Sequence, residues 1–218
     1  VYQDVRFSNN CPINNHYQFH AWSGSGQQFM ALALAQGRIQ ADENMADIVF
    51  SCRSCGYCDV ACKYIMDAER HLVNMALKET LADAGLAPSE YKETVLNLKT
   101  YGAPLGAGGI SWEEGLGLKQ ASRAKAKVLL WAGCSARHDP ASARTARLFA
   151  RLLQKAGVDF AVFGDEESCC GLPAYWSGFK GQFVESAGKA RTLIEQSGAK
   201  IVVTVCGACL GAMRSKAP

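Results

Sequence analysis

Cysteine is the residue type whose number and spacing most strongly indicate a chemistry in this sequence. The chain has ten cysteines in 218 residues, which is too sparse for a disulfide scaffold, and no feature marks the chain as secreted. Thiolates are strong ligands for zinc and for iron–sulfur clusters. We therefore expect metal-bound thiolates in a reducing compartment. The cysteines form three groups, namely Cys11, then Cys52, Cys55, Cys58 and Cys62, and finally Cys134, Cys169, Cys170, Cys206 and Cys209.

The second group has the spacing C-x2-C-x2-C-x3-C, which is the run that holds a cubane [4Fe–4S] cluster. In two-cluster ferredoxins the first three sulfurs of this run surround one cluster, while the fourth ligates the other cluster. Cys11 is followed by Pro12, as the closing cysteine of such a run is. We therefore predict that Cys11 joins the first three cysteines of the run, with closure by Cys62 as the alternative. A zinc site is a further alternative, although zinc usually takes paired CxxC units or mixed Cys/His sets.

The five remaining cysteines have the spacing C-x34-CC-x35-C-x2-C, and each group follows a short apolar run. These runs are VLLWAG (residues 128–133), FAVF (160–163) and IVVTV (201–205), and their β-branched content predicts strands. Helical patterns near residues 140–156 and 181–197 separate the runs, so a parallel sheet is expected. Ligands of open α/β sheets bind at the carboxyl ends of the strands. All five sulfurs should therefore meet at one edge, and five thiolates exceed the four that one zinc ion or one cubane requires.

The apolar pattern divides the chain into a helical part and an α/β part. From residue 25 to about residue 100 the period is helical, and Ser25 and Asp67 are predicted to cap helices. Residues 101–120 carry six glycines and one proline without a period, so they are predicted to form an irregular connection between two domains, with an ordered loop over a cluster as the alternative. The predicted buried stripe of the helix near residues 140–156 is Thr145, Leu148, Phe149, Leu152 and Leu153. Its basic residues are predicted to form a solvated face, namely Arg144, Arg147, Arg151 and Lys155.

We predict an α + α/β fold, in which an N-terminal all-α ferredoxin-like [4Fe–4S] domain precedes a small parallel-sheet α/β domain. The expected domains are residues 1–100, a glycine-rich connection at 101–125, and a cysteine-rich domain at 126–218 that continues beyond the given chain. The formal net charge is +3, and no basic tract is long enough to indicate nucleic-acid binding. No apolar run approaches the roughly 20 residues that span a bilayer.

The whole pattern resembles the CCG-domain proteins of the heterodisulfide reductase type, in which a cysteine-rich CCG module follows a helical ferredoxin-like domain. The resemblance implies that the five cysteines of the module bind a noncubane [4Fe–4S] cluster, with Gly171, Leu172 and Pro173 in the tight turn after the cysteine pair. The family also includes iron–sulfur subunits of glycolate- and lactate-oxidising enzymes. Its members usually carry two ferredoxin motifs and two CCG modules, whereas this chain shows one intact motif and one module.

This resemblance implies an oxidoreductase function. The leading hypothesis is an electron-transfer subunit of an anaerobic multisubunit complex, which relays electrons between the cubane and the noncubane cluster. The alternatives are thiol–disulfide reduction at the CCG-bound cluster, an iron–sulfur subunit of a glycolate or lactate dehydrogenase, and a zinc-stabilised adaptor without redox activity. The expected partners are other redox subunits, linked to ferredoxin, flavin or a membrane quinone. We expect a cytoplasmic location, with membrane contact only through a partner, and no catalytic residue is assigned.

Four residues close to the second cysteine set have side chains that can influence a cluster. Arg137 and His138 follow Cys134 and can hydrogen-bond a cluster sulfur. Tyr175 and Trp176 follow the CCG turn and can shield the cluster from water, which shifts its reduction potential. Helix solvation and ordinary packing are the alternative interpretations of these two pairs.

Overall fold

The structure is a computed structural model, and it describes residues 11–67 and 69–216. These residues are largely helical, with four short parallel strands, which confirms the α + α/β class. Their contacts form two compact units. The first unit contains the described residues up to Lys92 together with Tyr175–Phe179, and the second contains Glu93–Ala174 and the described residues from Lys180 onward. The domain boundaries from the sequence stay a prediction, and the first ten residues of the predicted helical domain lie outside the described residues.

The first unit is a set of helices, several of which begin at a side-chain cap. The Asp42 carboxylate accepts a hydrogen bond from the Met45 N–H at 2.7 Å and thereby satisfies one of the free donors at a helix start. The helices are α1 (Pro12–Tyr17), α2 (Gly24–Ala35), α3 (Glu43–Ser51), α4 (Tyr57–Met66) and α5 (Arg70–Asp83), and a 3-10 turn lies at His20–Trp22.

Two helix caps differ from the sequence prediction. The side chain of Ser23, not Ser25, caps α2 by accepting from the Gly26 N–H at 3.1 Å, while Ser25 bonds the ring of His20. Asp67 does not begin a helix, because it is the left-handed residue that ends α4. Several polar residues lie near each of these helix ends, and any of them is a competent cap by residue type. Local spacing therefore does not choose between them.

Apolar faces of α3 and α5 form the core of the first unit. Val49 and Leu81 are fully buried, and Phe50 and Leu77 are nearly so. The Tyr91 hydroxyl donates to the Phe50 carbonyl at 3.1 Å, and the centroids of the two rings are 5.1 Å apart. This packing fixes the carboxyl end of α3, where the first of the closely spaced cysteines follows.

The second unit is built on a parallel sheet in the order β1-β3-β2-β4. The strands are β1 (Lys119–Gln120), β2 (Val128–Trp131), β3 (Phe160–Val162) and β4 (Ile201–Thr204). The helices in this part of the chain are α6 (Ser89–Tyr101), α7 (Ser135–His138), α8 (Pro140–Lys155), α9 (Leu172–Trp176), α10 (Lys180–Ser197) and α11 (Gly207–Gly211). Residues 89–92 of α6 and 175–176 of α9 belong to the first unit. The three predicted strands and the two predicted long helices are confirmed. Strand β1 is additional, since its residues fall in the stretch predicted to be irregular.

Helix α8 buries a different face from the predicted one. Ala143, Ala146 and Ala150 are buried against the sheet, while Leu148 and Leu152 are 54% and 59% exposed. Small side chains let the helix axis approach the sheet closely, so the alanine face packs inward. The basic face is predicted to be solvated, but Arg147 on this face binds the protein backbone. Its guanidinium donates to the carbonyls of the loop residues Trp112 (2.7 Å) and Glu114 (3.0 Å).

Candidate cluster sites

Five cysteines line one cavity of ≈ 220 Å³ in the first unit. Cys11 is the N-cap of α1, and its sulfur accepts from the Asn14 N–H at 3.5 Å. Cys52 ends α3, and Cys58 and Cys62 lie on α4. The fifth, Cys55, lies in the loop between these helices. The structure therefore brings the isolated Cys11 to the cysteine run, although forty residues separate Cys11 from Cys52 in the sequence.

The loop between α3 and α4 bends tightly around the cysteine sulfurs. Ser54 and Gly56 both have left-handed backbone conformations, with φ of 52° and 70°. Such a conformation is unusual for a non-glycine residue and is maintained only where surrounding contacts hold it. In this conformation the Ser54 N–H points at the sulfur of Cys52, at 3.5 Å. A backbone N–H directed at a sulfur favours the thiolate, which is the form that binds iron.

Burial raises the pKa of two cysteines in this cavity. For Cys58 burial and then the neighbouring charge of Asp59 raise the pKa to about 11. For Cys52 burial raises the pKa, while the Ser54 N–H and the ammonium of Lys78 oppose that shift. The charges of Cys11 and Cys55 raise it further, because they lie near enough to repel a thiolate at Cys52. Without a cation these thiols therefore retain their protons, and a bound metal would displace them.

Closure of the first site by Cys11 stays a prediction, because Cys11 and Cys62 both line the cavity. The first turn of α4 carries Cys58, and Cys62 lies one helical turn further along the same helix. Gly24 of α2 faces Cys58, since a Cβ at this position would lie 3.0 Å from the Cys58 Cβ and 3.4 Å from its sulfur. The start of α2 thus forms another wall of the cavity.

The second set of cysteines lies at the carboxyl edge of the sheet. Cys134 follows β2, Cys169 and Cys170 follow β3, and Cys206 follows β4 with Cys209 on the next helix. The sulfurs of Cys134 and Cys169 are 3.6 Å apart. Cys170 is hydrogen-bonded to Cys169 and to Cys209, and Cys209 is also bonded to Cys206. All five sulfur atoms therefore form one hydrogen-bonded chain, as expected from strands that end side by side.

The pKa values alternate along this chain of sulfurs. Hydrogen bonds to Cys134 and Cys170 raise the pKa of Cys169, and bonds to Cys170 and Cys206 raise that of Cys209. The same bonds, received from Cys169 and Cys209, lower the pKa of Cys170 to about 3, and the bond from Cys209 lowers that of Cys206 to about 6. Two sulfurs thus donate and their neighbours accept. Five thiolates this close repel one another, so full ionisation requires a cation among them.

Two glycines allow close backbone approaches at the second cysteine set, Gly133 to the sulfur group itself and Gly171 to helix α10. Gly133 has φ of 87°, and a Cβ there would lie 2.9 Å from the Cys206 Cβ and 3.3 Å from the Cys209 sulfur. Gly171, the glycine of CCG, has φ of 81°, and a Cβ there would lie 2.9 Å from the Phe183 carbonyl oxygen. The Ala174 N–H donates to the Gly171 carbonyl at 2.9 Å, so the chain turns directly after the cysteine pair. Neither position accommodates a side chain without strain or displacement.

A buried acid that the sequence prediction missed supports the start of this site. The Glu167 side chain is only 6% exposed, and its carboxylate accepts from the Ala132 N–H at 2.9 Å and the Gly133 N–H at 2.5 Å. Burial raises the pKa of Glu167 to about 8, although both N–H groups act in the opposite direction. Glu167 lies two residues before the cysteine pair, but its contacts are 34 and 35 residues away, so no local pattern indicates them.

The glycine-rich stretch contributes to the second unit as an ordered segment. The Gly102 carbonyl accepts from the Cys169 N–H at 2.9 Å. The Ile110 N–H donates to the Arg137 carbonyl at 2.6 Å, and Gly109 lies so close to that carbonyl that a Cβ would be 2.5 Å from its oxygen. Residues 101–120 therefore contact the backbone of two cysteine-bearing segments.

The four predicted neighbours of the second set have different surroundings. Among the atoms that the structure describes, the Arg137 Nε and the His138 Nε2 are buried without a hydrogen-bond partner. Tyr175 and Trp176, in contrast, group with the first unit by their contacts. Within residues 11–67 and 69–216, no three His, Cys, Asp or Glu side chains are arranged to share a single metal ion. None of the described helices is both long and apolar enough to cross a membrane.

Comparison with known proteins assigns the second cysteine set to a domain family. Residues 128–214 match the family described as CCG, a cysteine-rich domain. A probable membrane-anchored ferredoxin of Chromohalobacter salexigens is 33% identical over 126 residues, 56% of this chain and 18% of the relative. The EtfAB:quinone oxidoreductase of Syntrophomonas wolfei is 25% identical over 182 residues, 79% of this chain and 25% of the relative. The probable iron-sulfur-binding oxidoreductase FadF of Bacillus subtilis is 24% identical over 197 residues, 85% of this chain and 28% of the relative.

These similarities confirm the resemblance inferred from cysteine spacing. Residues 128–214 carry a cysteine-rich CCG domain, and the chain is similar to proteins named as a ferredoxin and as iron–sulfur-binding or quinone oxidoreductases. It spans 18–28% of the length of the relatives described above. No solved structure matches the chain.

Proposed function

We propose that this chain relays electrons between a cubane [4Fe–4S] cluster in the first unit and a noncubane [4Fe–4S] cluster in the CCG domain, as a subunit of an oxidoreductase complex. The observation that supports the proposal is the division of ten cysteines into two spatial sets of five, one lining a cavity and one forming a chain of sulfurs. When bound, each cluster accepts and releases single electrons.

The residues of the first site fit a cubane cluster. Its cavity has five thiols for four ligand positions, and its loop directs a backbone N–H at Cys52. We propose Cys11, Cys52, Cys55 and Cys58 as the ligands, with Cys62 as the alternative to Cys11. The helices and the loop that carry these residues would hold the cluster. Cys11, Cys52 and Cys58 are half-buried and would limit its contact with water, whereas Cys55 is exposed.

The residues of the second site fit a larger or less regular cluster better than a single cubane. All five sulfurs lie in one hydrogen-bonded chain, and the adjacent Cys169 and Cys170 are both buried. We propose that Cys134, Cys169, Cys170, Cys206 and Cys209 are its ligands. Gly133 admits the backbone close to the sulfurs, Gly171 allows the turn after the cysteine pair, and Glu167 holds the turn before Cys134.

The names of the relatives support a place in a redox complex. One relative is named as a ferredoxin and another as an oxidoreductase of EtfAB and quinone. We therefore propose partners that exchange electrons with a flavoprotein, a ferredoxin or a membrane quinone. The proposed location is the cytoplasm, with any membrane contact made through such a partner.

Reduction of a disulfide substrate at the second site is the second candidate function. The observation that favours it is a cavity of ≈ 430 Å³ that is lined by Cys170, by mainly apolar residues and by Arg191 and Glu195 of α10. In this reaction the S–S bond would accept two electrons, delivered singly through the first cluster, and two protons from water, to yield two thiols. Turnover of small disulfides by the reduced protein would support this candidate.

The relay is tested by removing one cluster at a time from the anaerobically purified protein. We expect Cys55→Ser to abolish the EPR signals of the first cluster and Cys170→Ser to abolish those of the second. Each variant should keep the other cluster, while iron and sulfide per chain fall by the content of one cluster. A colourless protein that contains zinc, or the loss of one and the same signal in both variants, would contradict the proposal.

A further inference from the structure

Lys78 of α5 is a buried lysine whose ammonium lies behind the cysteine loop of the first unit. Its side chain is only 1% exposed. The Nζ atom donates to the Cys52 carbonyl at 3.0 Å, to the Ser54 hydroxyl at 3.0 Å and to the Trp176 carbonyl at 3.2 Å. It also lies 5.7 Å from the centroid of the Phe50 ring. All three ammonium protons are therefore directed at neutral acceptors.

The positive charge of Lys78 has no carboxylate partner among the described residues, whose ion pairs all involve exposed side chains. Burying an ammonium without a counterion is costly, and burial accordingly lowers the pKa of Lys78. The bonds from Nζ to the Cys52 carbonyl and to the Ser54 hydroxyl place this positive charge directly beside the cysteine loop.

Two of the Lys78 hydrogen bonds act on the loop that binds the proposed cluster. One bond holds the carbonyl of Cys52, and the other holds the side chain of Ser54, whose left-handed backbone directs an N–H at the Cys52 sulfur. The third bond holds residues Tyr175–Phe179, which also belong to this unit. In that segment Gly178 lies against the Lys78 backbone, and a Cβ there would be 2.5 Å from the Lys78 carbonyl oxygen.

We infer that Lys78 is a positioning residue for the first cluster, which fixes the residue 52–55 loop and raises the reduction potential of the cluster through its buried positive charge. The inference rests on the proposed cluster of the first unit. Reduction adds one electron from a redox partner and forms or breaks no bond, so the cluster becomes more negative by one charge. A nearby buried cation stabilises the reduced form more than the oxidised form.

The inference is tested by a redox titration of the complete protein, followed by EPR of both clusters. In Lys78→Met we expect the ratio of reduced to oxidised first cluster at a fixed potential to fall at least tenfold. For a one-electron couple, tenfold corresponds to about 59 mV. The reduction potential of the second cluster should stay unchanged. Lys92→Met is the matched control, because Lys92 lies in the same unit but is exposed, and we expect no shift there.

An unchanged potential in a fully loaded Lys78→Met protein would overturn the inference. If Lys78→Met does not bind the first cluster, the same titration of Lys78→Arg and Lys78→Gln tests the role of the charge. A wild-type potential in Lys78→Arg, with a lowered potential or a lost cluster in Lys78→Gln, supports a role of the charge. Loss of the first cluster in all three variants, while the second remains, overturns it. Absence of a cubane signal from the wild-type protein would instead refute the proposed function itself.

Discussion

Replacement of Gly133 by alanine is a direct test of whether the second set of sulfurs forms one site. Gly133 lies between β2 and Cys134, and its backbone is left-handed, with φ of 87°. A Cβ at this position would lie 2.9 Å from the Cys206 Cβ and 3.3 Å from the Cys209 sulfur. The substitution therefore presses on two proposed ligands that are more than 70 residues away in the sequence.

The expected effect has two parts. Alanine in the left-handed region costs about 1–2 kcal/mol of folding free energy. In addition, carbon atoms prefer separations of about 3.5–4.0 Å, so the 2.9 Å approach requires the turn or Cys206 to move by roughly half an ångström or more. Metal–ligand distances tolerate deviations of only about 0.2 Å. We therefore expect Gly133→Ala to lose most of the iron of the second cluster.

Gly157→Ala is the matched control for backbone strain. Gly157 is also left-handed, with φ of 66°, but a Cβ at this position would have no atom from another part of the chain within 4 Å. We expect both variants to lose about 1–2 kcal/mol in denaturant unfolding, but only Gly133→Ala to lose iron, sulfide and the EPR signals of the second cluster. Equal stability losses with full iron content in both variants would refute the placement of Cys206 and Cys209 in the site.

Three further substitutions test other parts of the structure. Cys11→Ser should remove the EPR signal of an intact first cluster while Cys62→Ser retains it, and the reverse result would favour closure by Cys62. Glu167→Leu should lower the free energy of unfolding by about 1–3 kcal/mol, because the buried N–H groups of Ala132 and Gly133 lose their acceptor. Glu166→Leu at an exposed position should not have this effect, and chemical denaturation of both variants measures the difference. Arg147→Met should lower the free energy of unfolding by about 1–2 kcal/mol in the same assay, because the bonds to the Trp112 and Glu114 carbonyls are lost. A decrease no greater than that of Arg151→Met, at an exposed position, would contradict this role.

The main elements of the second unit could be predicted because their signals are local. Strands β2, β3 and β4 are short β-branched runs, and parallel strands place their carboxyl ends at one edge whatever the loop lengths are. Strand β1 could not be predicted, because its two residues, Lys119 and Gln120, are polar. It exists through pairing with β3, and Lys119 is held by an ion pair with Asp159 at 2.5 Å.

The buried face of α8 could not be predicted from the helical period of its apolar residues. Its leucines and its alanines both recur at helical spacing, and hydrophobicity alone favours the leucines as the buried face. In the structure the alanines face the sheet, while Phe149 and Leu153 fill the border of the core. Close packing of a helix on a sheet is decided by shape and by the helix ends, and neither is encoded in a single-helix pattern.

Cysteine spacing predicts the ligands, but not the groups that would hold them in place. In each unit a buried polar side chain bonds the backbone beside a cysteine, namely Lys78 at the Cys52 carbonyl and Glu167 at the Gly133 N–H. These contacts span 26 and 34 residues, so a search of local motifs does not detect them. Ligand positions must be held within tenths of an ångström, and a flexible turn does not achieve this alone. Loss of either buried group should therefore reduce cluster content in a chain that keeps all ten cysteines.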